Sequence, residues 1–113
     1  MNRLSVCIAL IACLSPLAAQ ADRITTMTRE EKCVYVARLQ VAAAFYYTKG
    51  QRRDEVKIHW HGDETANERE FVTRTIDQGY QAMERESREG KAGIPVELIG
   101  DRAYQSCMTE TAL

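Results

Sequence analysis

Residues 66–88 read ANEREFVTRTIDQGYQAMERESR, and the spacing of their apolar side chains decides the fold class. Val72, Ile76, Gly79, Tyr80 and Met83 fall at i, i+4, i+7, i+8 and i+11, which is one face of a 3.6-residue helix, with Phe71 and Ala82 beside it. Asp63 or Thr65 supplies the N-cap. The opposite face alternates in charge, with Glu70 and Arg74, Glu84 and Arg88, and Arg85 and Glu89 at pairing distance. Such pairs each add only a few tenths of a kcal/mol and read as a solvated helix surface. Gly79 costs about 1 kcal/mol against Ala in a helix interior, so the position calls for close packing or a bend.

Toward the N-terminus, Thr28 and Glu31 form a capping box that starts a second helix, Arg29 to Thr48, ended by Gly50. Cys33, Val34, Val36, Ala37, Val41, Ala44 and Phe45 make its apolar stripe. The run Ala42, Ala43, Ala44 admits close approach of another helix, and Tyr35, Tyr46 and Tyr47 add boundary aromatics. Asp22 to Met27 reads as a polar lead-in. In Glu55–His61, Val56, Ile58 and Trp60 alternate with Lys57, His59 and His61 in a strand pattern, while Val56 and Trp60 also fit a helical i, i+4 pair. A strand needs a partner and no second one is evident, so a short helix ending near Gly62 is the favoured reading. Toward the C-terminus, Pro95 suits the first turn of a last helix reaching about Met108. Val96, Ile99, Ala103, Tyr104 and Cys107 share one of its faces, and Gly100 is a candidate break. The expectation is an all-α fold, a small bundle of about four helices closed by one disulfide.

The first 21 residues have the three parts of a secretory signal: basic Arg3, an apolar run from Leu4 to Leu14 and the Ala19-Gln20-Ala21 ending. Cleavage would leave residues 22–113 as one helical domain, exported and periplasmic. A competing cut at the lipobox-like Leu10-Ile11-Ala12-Cys13 would place a lipid anchor on Cys13. Export also fixes the cysteine arithmetic. Cys7 and Cys13 lie in the leader, and Cys33 and Cys107 remain. In an oxidising compartment these two read as a structural disulfide, worth about 4 kcal/mol by the chain-entropy model for a loop of about 75 residues.

Fifteen basic residues against sixteen acidic give a net charge of −1, and loss of the leader, which carries Arg3 and no acid, makes the remainder more negative. This balance gives no reason to expect a nucleic-acid surface, and after residue 21 no apolar run approaches a membrane span. His59-Trp60-His61 with Asp63 and Glu64 is the sharpest local cluster. If extended, His59 and His61 share a face and suit a divalent metal; if helical, they point about 200° apart. The bland reading is a solvated surface. Nucleophile elbows, zinc-protease pairs and phosphate loops are absent, so the chain reads as no enzyme and calls for no cofactor.

The leader, Glu31-Lys32-Cys33, the stop at Lys49-Gly50, the Phe71–Met83 helix and the closing Ala103-Tyr104-Gln105-Ser106-Cys107 together resemble small exported two-cysteine helical proteins of Gram-negative bacteria, most without an assigned role. The layout is also similar to helical periplasmic immunity proteins of type VI secretion systems, and that resemblance implies an inhibitor role. The functional expectation is a non-catalytic protein-binding module: an inhibitor, immunity protein or envelope accessory protein with an unidentified protein partner and an open oligomeric state. Trp60, the tyrosines and the charged faces supply contact surface. The alternative is a small-ligand or divalent-metal carrier centred on His59, Trp60 and His61.

Overall fold

In a computed structural model, which describes residues 22–89 and 95–110, four α-helices form. They are α1 (Arg23–Thr26), α2 (Arg29–Thr48), α3 (Ala66–Arg88) and α4 (Val96–Glu110), with a 3-10 turn at Arg53–Glu55 and no strand among the described residues. The all-α expectation holds, and so do the bounds of the two long helices. The expected leader, with Cys7 and Cys13, lies outside the described residues.

The capping chemistry explains where the helices begin. Thr28 Oγ1 accepts from the Glu31 N–H at 3.1 Å while Glu31 Oε1 accepts from the Thr28 N–H at 2.9 Å, so two otherwise unpaired donors of α2 are satisfied reciprocally. Those bonds hold the Glu31 carboxyl below its ordinary pKa. Of the two candidate caps for α3, Thr65 serves, accepting from the Glu68 N–H at 3.1 Å. Gly50, at φ +82°, follows the C-cap Lys49 and turns the chain away from α2. The lead-in 22–27 is itself helical, capped by Asp22 and burying Ile24 in the core.

Helices α2 and α3 run parallel. Tyr35 stacks on Phe71 near their starts (5.9 Å), Gln40 meets Gln78 midway (3.5 Å), and Tyr47 meets Tyr80 edge-on farther along (5.8 Å). Parallel neighbours require the connection to travel back the length of a helix, and this overturns the expected short helix at 55–61. Seven helical residues advance about 10 Å, whereas seven extended residues advance about 23 Å. The segment 56–61 is therefore an extended strap with no ladder partner. Its alternation survives: Val56, Ile58 and Trp60 pack on the α2–α3 core while Lys57, His59 and His61 face solvent. Hydrogen bonds and ion pairs pin both ends of the strap. Tyr80 donates to the Gln51 carbonyl at 3.0 Å and Arg53 pairs with Asp77; at the other end Arg23 pairs with Asp63.

The last helix, α4, runs antiparallel to α2 and packs chiefly on it, touching α3 only marginally. Two glycines set these spacings. A methyl on Gly79 would lie 2.7 Å from Ala43 Cβ, and one on Gly100 would lie 2.6 Å from Val41 Cγ2. Gly79 is thus a close-packing site, and Gly100, proposed as a break, sits inside one continuous helix. Cys33 and Cys107 are joined at a Cα–Cα distance of 5.4 Å, well within disulfide range. Phe45, expected in the buried stripe, is 48% exposed. It lies at the solvent edge of α2, where Lys49 Nζ sits 4.7 Å from its ring centroid.

Candidate functional site

Because α4 leans on α2 rather than on α3, the space between α3 and α4 is left open as a cleft of about 760 Å³ whose floor is α2. Its floor and rims combine side chains far apart in sequence. Arg29 and Lys32 come from α2, Arg74 and Arg85 from α3, and Arg102 from α4. Against these five cations stand two carboxylates, Glu86 and Glu110, so the cleft is positive on a chain whose net charge is −1. Between the charges sit the amides of Gln40, Gln78 and Gln81.

Three of the five cations, Lys32, Arg74 and Arg102, are held in place. Lys32 Nζ and the Arg74 guanidinium lie 5.6 Å and 6.0 Å from the centroid of the buried Phe71 ring, within cation–π range. Arg74 also lies 3.7 Å from Glu70 one turn back, at exposed positions where such a pair contributes little. Glu86 is 7% exposed and pairs with Arg102 across the cleft, tying α3 to α4. The Cys33–Cys107 bridge forms part of the wall, so the same covalent link that retains α4 also fastens that lip of the cleft to its floor.

The two histidines singled out in the sequence lie elsewhere, exposed on the solvent side of the strap. The acids beside them are engaged. Asp63 pairs with Arg23, and Glu64 accepts from the backbone N–H of His61 at 2.7 Å and of Gly62 at 2.9 Å. The His61 bond leads in pulling the Glu64 pKa from 4.5 to about 2, against an opposing effect of burial. No group of three or more His, Cys, Asp or Glu among the described residues is arranged to hold a metal ion. Trp60 is half-buried against the core, with the Arg69 guanidinium 5.4 Å from its ring. Burial raises the pKa of Tyr35, helped by the carboxylates of Glu68 and Glu64, and burial likewise raises that of Tyr80.

The cleft was not apparent from the sequence. One signal for it exists: Arg74, Gln78, Gln81 and Arg85 recur at i, i+4, i+7 and i+11, a stripe of long cationic and amide side chains along α3. Taken alone the stripe is indistinguishable from a solvated surface, and only the placement of α4 turns it into one lip of a cleft. No protein-family model, curated protein or solved structure matches the chain.

Proposed function

We propose that this protein is an exported, non-catalytic protein-binding module of the envelope, acting as an inhibitor, immunity or accessory protein, and that it engages its partner through the α3–α4 cleft. The observation that carries the reading is the cleft itself. It is a concavity of binding-site size, walled by long polar side chains from three helices, with one lip fastened to the floor by a disulfide. The disulfide also supports an oxidising compartment. No helix among the described residues is long and apolar enough to cross a membrane.

The test is photo-crosslinking in the exporting cell, with a benzophenone amino acid at Gln78 inside the cleft or at Asp101, exposed on α4 and outside it. The expected result is one discrete adduct from position 78 and none from 101, reproduced with the purified partner. Adducts from 101 alone, or from neither position, would refute the assignment of this face.

A second reading has one observation in its favour: the strap is extended, the condition under which His59 and His61 share a face. As a divalent-metal carrier the protein would retain zinc or copper in native mass spectrometry and lose it on His59→Ala/His61→Ala substitution. Equal metal retention by both forms would dismiss it.

A further inference from the structure

Resting on the reading of the cleft as a protein-binding face, we infer that its occupant is an extended, acidic segment of the partner chain. The dimensions favour a strand-like ligand. Cleft residues run from Arg29 to Gln40 along α2 and from Phe71 to Glu86 along α3, which is about 17 Å and 22 Å of helix. Five to seven extended residues, at about 3.3 Å each, fill that length. A single phosphate or carboxylate ion would leave most of it empty.

Chemistry selects the sign and the backbone. Lys32, Arg74 and Arg85 present positive charge on both long helices, complementary to carboxylates spaced along a chain. The amides of Gln40, Gln78 and Gln81 offer both donors and acceptors, which match the N–H and C=O groups that an extended peptide carries at every residue. A DNA strand shares the negative charge but has no backbone donors for those amides.

Fluorescein-labelled octaglutamate, titrated by anisotropy against the intact disulfide-bonded protein, tests this directly. Saturable binding is expected that weakens as salt is raised. The double variant Arg74→Gln/Arg85→Gln is expected to weaken it at least about 10-fold, while Lys57→Glu, on the exposed side of the strap, changes it less than about 2-fold. Both arginines are exposed, so the variant is expected to keep the wild-type circular dichroism; should it unfold, the single variant Arg85→Gln and competition by salt give the same readout. The inference is overturned by lack of saturable binding or by equal affinity in the arginine variants. It is equally overturned if inorganic phosphate displaces the probe at the same concentration as unlabelled octaglutamate, or if a single-stranded oligonucleotide displaces it at a lower one. Crosslinks from position 78 that persist without octaglutamate binding would remove the acidic ligand and leave the binding face standing.

Discussion

At Gly79 a hydrogen stands where any other residue would place carbon 2.7 Å from Ala43 Cβ, a neighbour fixed to its own backbone. Gly79→Ala gains about 1 kcal/mol of helix propensity yet must push α2 and α3 apart. A net loss of about 1–3 kcal/mol is expected in urea denaturation, and Ala43→Gly in the same chain should recover part of it in a double-mutant cycle. Gly100→Ala meets Val41 Cγ2, the end of a side chain, and should cost less. Glu64 offers a residue-scale test of a different kind. Its pKa is lower in the folded protein than in the unfolded chain, so its contribution is complete above about pH 4.5 and is lost as the pH falls through about 2. Trp60, the single tryptophan, reports on the strap. Glu64→Gln should red-shift its emission at neutral pH and remove the acid-dependent difference from wild type; matching emission in the two proteins across the range would show that the carboxylate does not anchor the strap.

Among the elements, α4 depends most on a single bond. It rests on α2, has little contact with α3, and is fastened at its far end by Cys107. Cys33→Ala/Cys107→Ala should lower stability by about 2–5 kcal/mol, with hydrogen exchange rising first across residues 103–110. The bounds of α2 and α3 were legible in the sequence because caps and periodicity agree there: Thr28 with Glu31 at the start of α2, Gly50 past its end, and Val72 to Met83 along one face. The strap was not legible, because Val56, Ile58 and Trp60 satisfy two local patterns at once and the deciding fact is remote. Parallel α2 and α3 require the chain to cover a helix length in few residues, and an extended segment does so while burying alternate side chains without pairing its edge. The lead-in was not legible for a similar reason: Ile24 alone gives no periodicity, and its helix is docked by contacts remote in sequence, the burial of Ile24 in the core and the Arg23 N–H that donates to Glu68 at 2.9 Å.

For the molecule as a whole, the positive cleft on a negative chain is the property no local window carries. Its cations come from positions 29 to 102, each within four residues of an acid that cancels it in any sequence count, so only assembly separates the signs. The Glu86–Arg102 pair joins the two lips of the cleft. Arg102→Ala would take this ion-pair partner from a buried carboxylate, with an expected loss of about 1–3 kcal/mol on thermal melting that high salt does not restore. Unchanged stability would mean that the pair is solvent-screened and does not hold the lips.

The lopsided packing of α4 has a consequence for assembly. A helix whose contacts are nearly all with one neighbour is indifferent to which copy of that neighbour it meets, and the sulfur–sulfur bond is what makes the choice for it. Freed by Cys107→Ser, α4 is expected to trade places between two chains at high concentration, giving an interlocked dimer that sedimentation would resolve. The oxidised protein would then owe its individuality, as much as its durability, to a covalent bond.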